Sequence, residues 1–144
     1  MVSNAKKYGL EGSFASQLQA FGEMVQQDAD EVFQIVATEV GQSVINLTPV
    51  DTGRALSNWN AGINSPDDVY RETEDPLDSN TSTRLAGEFK LLKFGDTAYI
   101  TNATPHIPFL EYGSSKQAPN GFIRITLARF PEIVNRAVAK VSGR

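Results

Sequence analysis

The sequence predicts an α+β fold in one domain spanning residues 1–144: a long N-terminal helix, a small antiparallel β-sheet, and a C-terminal helix kinked or restarted near Pro131. Three observations carry that expectation. Apolar residues recur every three or four positions from Phe14 to Leu47. Two short runs around Trp59 and Tyr99 have strand character, and a second helical stripe closes the chain. A chain of 144 residues is long enough to bury roughly 68% of its unfolded surface in a single core.

The first helix is the plainest element. Phe14, Leu18, Phe21, Val25, Val32, Val36, Val40, Val44 and Leu47 fall on one stripe, with Ala29 filling the gap. Ser13 suits the N-cap position, and Pro49 stops the pattern. Gly22 and Gly41 are weak points where such a helix can bend. The stretch would be roughly 50 Å long at 1.5 Å per residue, against a diameter of roughly 37 Å for a compact domain of this size. It therefore bends or overhangs its own domain, and an overhanging apolar stripe needs a neighbour to cover it. Oligomerisation is expected on that ground alone.

Asp51, Thr52 and Gly53 then have turn chemistry, because Asp bonds its own backbone two residues on and Gly tolerates positive φ. From Leu56 to Ile63 the residues alternate as a strand, with Trp59 on the buried side. Residues 64–84 hold six acids against Arg71 and Arg84, two prolines and a Ser/Thr/Asn tract, the composition of a long mobile acidic loop. A short helical pattern returns at 82–94 through Leu85, Phe89 and Leu92. A turn at Gly95 and Asp96 leads into a second strand, Thr97 to Asn102. The C-terminal stretch fits a helix stripe through Phe122, Ile123, Thr126, Leu127, Phe130, Ile133, Val134, Ala137, Val138 and Val141, although "IRITL" alone also alternates like a strand.

Composition excludes several classes. No apolar run approaches the roughly 20 residues of a membrane span, and "MVSNAKKYGLEG" has no signal-peptide core, so a soluble intracellular protein is expected. There is no cysteine, which removes disulfides and thiolate metal sites. From Tyr8 to Gly53 there are seven acids and no Lys or Arg, whereas Lys116 to Arg144 carries six bases and one acid. These arms either pair, within or between subunits, or form two solvated helix faces. Too few bases, without interleaved aromatics, argue against a nucleic-acid-binding surface.

The segment "PHIPFLEYGSSKQAPNGFI", residues 105–123, concentrates polar residue types. Asp51, His106 and Ser114 or Ser115 hold the types of a nucleophilic triad, yet no G-x-S-x-G elbow precedes a helix. A single histidine, no EF-hand pattern and no phosphate loop leave no metal or cofactor site expected. No enzyme is predicted. Prolines at 105, 108 and 119 with Gly113 and Gly121 instead describe a stiff loop whose ordering entropy is lost in advance, a good binding element. Phe109 and Leu110 are expected in the core, with Ser114, Ser115, Lys116 and Gln117 exposed.

Taken together, "TPVDTGR" at 48–54, Tyr99 to Asn102, and "LEYGSSKQAPNG" at 110–121 resemble the neck and tail-completion family of long-tailed bacteriophages, and are similar to the lambdoid minor tail protein Z. The resemblance covers the chain from about residue 30. It departs at His106, where the family commonly has an aromatic, and in the acidic 64–84 loop. It implies a virion structural subunit at the head–tail junction, formed in the host cytoplasm and assembled as a homo-oligomeric ring, a hexamer. Such a ring contacts the connector and head-completion proteins on one side and the tail terminator or tail tube on the other. Genomic DNA passes through its lumen without sequence-specific binding. The contact residues implied are Asp51, Arg54, Glu111, Tyr112, Gly113, Ser115, Lys116 and Gln117, with Arg54 pairing Glu111 or a neighbour's acid. A tail terminator capping the tail tube is the alternative in the same setting. A small hydrolase using His106 and a peptide-binding module using the proline-rich loop are those of other classes.

Overall fold

One long helix is the spine against which two further helices pack. The computed structural model describes residues 14–50, 53–72, 80–105, 107–112 and 121–143, with the side chains of 14–24 and of residue 109 outside the description. Its elements are α1 (Phe14–Leu47), α2 (Arg54–Ser57), β1 (Trp59–Ile63), α3 (Thr81–Phe89), β2 (Ala98–Asn102), α4 (Ile107–Glu111) and α5 (Ile123–Ser142). Both α3 and α5 lie against α1, and β1 pairs with β2 in a two-stranded antiparallel sheet with Trp59 opposite Asn102 and Ile63 opposite Ala98. The α+β architecture with long terminal helices is therefore as the sequence predicts.

α1 runs unbroken through Gly22 and Gly41. Gly41 serves packing rather than bending: a Cβ there would stand 3.1 Å from Leu85 Cδ2, so its absence lets α3 approach. Ser13, the expected N-cap, lies outside the described residues. At the other end Thr48 Oγ1 donates back to the Val44 carbonyl at 2.5 Å and accepts from Trp59 Nε1 at 2.8 Å. Trp59 is thereby held with its indole satisfied and its ring edge-on to Phe122, centroids 5.9 Å apart. Around that pair Val44, Ile45, Ala55, Leu56, Leu85 and Ile107 complete the main core, with Leu110 packed against it as expected.

Three expectations need correction. The strand does not begin at Leu56, because Arg54–Ser57 close a helical turn after Gly53, whose φ of 90° only glycine adopts freely. Alternation also fails around Trp59, where Asn58 just before β1 and Asn60 within it are fully buried. Their amides explain this. Asn58 Nδ2 donates to the Arg71 carbonyl at 2.7 Å, and Asn58 Oδ1 accepts the Arg71 N–H at 2.5 Å. Asn60 Nδ2 donates to the Val69 carbonyl at 2.8 Å, and Asn60 Oδ1 accepts from Arg84 and Arg71. Buried amides with these partners fasten residues 67–71 along the strand. The acidic 64–84 stretch is consequently tied down in its first part and helical from Thr81, with 73–79 outside the described residues. The C-terminal stretch is the helix expected, and of the two readings at Pro131, a kink or a restart, no restart occurs. It is one helix containing that proline, whose missing N–H falls on an exposed position.

Candidate assembly surface

Of the residues singled out as contacts, Asp51, Gly113, Ser115, Lys116 and Gln117 lie outside the described residues, as do Thr52, His106 and Ser114. Arg54, Glu111 and Tyr112 are described, and Glu111 does not do what the sequence suggests. Glu111 is buried, 6% exposed, at the end of α4. Its Oε1 accepts the backbone N–H groups of Phe122 at 2.9 Å and Ile123 at 2.6 Å. Its Oε2 accepts the Arg124 N–H at 3.2 Å and Arg124 Nε at 2.7 Å. No side chain of its own caps α5, so Glu111 supplies the cap from 11 residues upstream. A carboxylate at a helix N-terminus also meets the positive end of the helix dipole.

Burial on its own would raise the Glu111 pKa. The Phe122 N–H, the Arg124 side chain and the Ile123 and Arg124 N–H groups outweigh it and hold the carboxyl below its ordinary value. Of the two partners expected for Arg54, Glu111 or a neighbour's acid, Glu111 is taken by Arg124, at 2.7 Å. Arg54 instead opens α2, its carbonyl accepting from Asn58 Nδ2 at 2.8 Å. Gly121 makes the arrangement possible. Its φ is 84°, and a Cβ would run into the Glu111 carboxylate and carbonyl. Glu111 and Gly121 therefore close the fold, fastening the end of α4 to the start of α5. Among the described residues of this segment Tyr112 is displayed, 75% exposed, with the Arg124 guanidinium 5.1 Å from its ring centroid.

A second surface went unread in the sequence. α1, the turn before β2 and α5 enclose a groove of about 910 Å³, floored by Val25, Val32 and Val36 and walled by Phe94, Ile100, Phe130 and Val134. Its rim is built deliberately. Asp30 Oδ1 accepts the Phe94 N–H at 2.6 Å, Gln34 Nε2 donates to the Leu92 carbonyl at 2.8 Å, and Asp96 Oδ2 accepts the Lys93 N–H at 2.8 Å. Asn64 Nδ2, donating to Asp96 Oδ1 at 3.0 Å, is the main cause holding the Asp96 carboxyl below its ordinary pKa, followed by the Lys93 N–H. These bonds pin the turn to α1 and leave Phe94 standing 65% exposed beside Val25 at 42% and Phe130 at 44%. Among the described residues, the only charged ones lining the groove are Asp28 and Asp96.

Farther round α5, Leu127 and Val138 extend the apolar surface at 64% and 45% exposure. Phe94 sits in a turn-like "FGDT" and Phe130 in a helical stripe, so neither announced exposure by its neighbours. The charge polarity of the chain is partly consumed here, since α1 and α5 pack together and Arg136 meets Glu39 at 3.5 Å. Among the described residues no three His, Cys, Asp or Glu side chains cluster as metal ligands, and no helix is long and apolar enough to cross a membrane.

A scan against protein-family models finds none that matches the chain, and searches of curated proteins and of solved structures find no match either.

Proposed function

We propose that the chain is a structural subunit of a bacteriophage head–tail junction, a neck or tail-completion protein that works as a homo-oligomeric ring and not as an enzyme. The observation that carries the oligomeric part is the groove and its apolar rim. Contiguous exposed apolar surface of this kind marks an interaction site. A phenylalanine offers about 200 Å², so covering the exposed parts of Phe94 and Phe130 removes roughly 220 Å² from water. At about 25 cal/mol per Å² that is roughly 5 kcal/mol. Association itself costs about 4–15 kcal/mol. Two aromatic residues therefore give at best a weak pairwise contact, and a closed ring, in which every subunit is held on both sides, is the stable use of such a surface.

The phage setting rests on the "TPVDTGR" and "LEYGSSKQAPNG" motifs, which resemble the neck and tail-completion family. In that setting the ring meets connector or head-completion proteins on one face and a tail terminator or the tail tube on the other. Exposed Tyr112 is a fitting element for such a contact. DNA passes through the lumen without sequence-specific binding. Pull-downs with purified connector and with polymerised tail tube test the assignment. Binding to the connector supports the neck position, and binding to the tube alone makes the chain a tail terminator. Binding to neither contradicts the proposal.

A further inference from the structure

We propose that the first turns of α1, Phe14–Met24, form an arm that seats in the apolar groove of a second copy of the chain. The inference rests on the oligomeric reading above and names the contact that makes it.

The geometry begins with unequal helix lengths. Ser43 on α1 is opposite Thr126 at the start of α5, their hydroxyls 2.7 Å apart, and Val25 lines the same groove as Val141 and Ser142 at its end. α5 is thus spent by the level of Val25, while α1 continues back to Phe14, a projection of roughly 16 Å at 1.5 Å per residue. This arm carries Phe14, Leu18 and Phe21 at helical spacing, in line with Val25 and Val32 of the groove floor. Glu23, its one charged residue, stands half a turn round from that line.

The same geometry identifies the occupant. Arm and groove floor belong to one continuous helix, so an arm cannot fold back onto its own groove. It reaches the groove of another copy instead. Charge agrees with that choice. Both charged residues lining the groove among those described are acidic, Asp28 and Asp96, while Lys6 and Lys7, just before the arm, are the only Lys or Arg preceding Arg54. A knob at one end of a subunit and a hole along its flank make a heterologous contact, the kind that propagates and closes into rings.

The test uses two full-length variants and the wild type, sized by mass photometry and light scattering. Phe21→Glu spoils the arm. Phe94→Glu with Phe130→Glu spoils the groove at residues already 65% and 44% exposed, so the fold tolerates the change. Wild type is expected to form particles larger than two copies and each variant to be a monomer, with unaltered helical circular dichroism. Mixing the variants leaves one intact arm and one intact groove, and the expected product is a 1:1 heterodimer that grows no further. Lys6→Glu with Lys7→Glu, which reverses the charge just before the arm, is expected to weaken association up to roughly tenfold. Wild type that remains monomeric at its highest soluble concentration overturns the inference, as do variants that assemble like wild type or mixed variants that stay monomeric. Wild type that stops at a dimer, with the same mixing result, keeps the arm in the groove and overturns the ring instead.

Discussion

Removing the Glu111 carboxylate is expected to loosen the start of α5 without dissolving the rest of the fold. In Glu111→Ala the Phe122, Ile123 and Arg124 N–H groups lose their acceptor. A lost N-cap costs about 0.5–2 kcal/mol. Phe122 is 0% exposed, so its amide has no water to turn to, and an unsatisfied buried donor adds about 1–3 kcal/mol. The sum is about 1.5–5 kcal/mol. At about 3 °C per kcal/mol for a domain of this size, thermal unfolding moves down by roughly 5–15 °C. Glu111→Gln should cost about half as much. Its carbonyl oxygen can stay with Phe122 and Ile123, which share Oε1, but an amide nitrogen in place of Oε2 cannot accept from Arg124.

The pH dependence follows from the same contacts. Because the folded carboxyl titrates below its ordinary 4.5, its contribution is fully present above that value and is lost as pH falls through the folded pKa. Differential scanning calorimetry from neutral pH down into the acid limb reads both effects. Wild type should lose stability more steeply than Glu111→Gln below about pH 4.5. Unchanged melting of Glu111→Ala at neutral pH would refute the cap.

Other expected outcomes follow from single contacts. Gly121→Ala combines a φ of 84° with a Cβ driven into Glu111, so urea unfolding should show a loss above about 2 kcal/mol, larger than a surface glycine would give. Asn58→Ala removes the acceptor of the Arg71 N–H; hydrogen exchange should show Arg71 losing protection, with a stability cost of about 1–3 kcal/mol. Arg136→Ala breaks an ion pair to Glu39 whose side chains are 60% and 38% exposed. Its effect on chemical denaturation should stay under about 1 kcal/mol, because solvent screens the pair.

How much of this was legible depended on how local each signal is. α1 and α5 announce themselves by spacing, and the fold class followed from them. The strand at Trp59 was read two to three residues too long because Leu56 and Ser57 alternate well enough locally. The helical turn depends on Gly53 and on Ser57 Oγ reaching back to the Gly53 carbonyl at 2.7 Å. Asn58 and Asn60 looked like the wet side of a strand, since nothing in their neighbourhood reveals that Arg71 and Val69 return to cover them. Glu111 looked like a docking carboxylate for the same reason: its partners come 11–13 residues later. Of the two readings that length allowed for α1, a bend or an overhang, the unbroken helix removes a break at Gly22 or Gly41. The groove was not legible, because its walls come from three separated parts of the chain.

The assembly itself gives the most direct test. Cryo-EM and mass photometry of the full-length protein, alone and mixed with connector and tails of its phage, should show a closed ring of this chain seated between the two. A chain that remains strictly monomeric at micromolar concentration in the presence of both would contradict the proposed function.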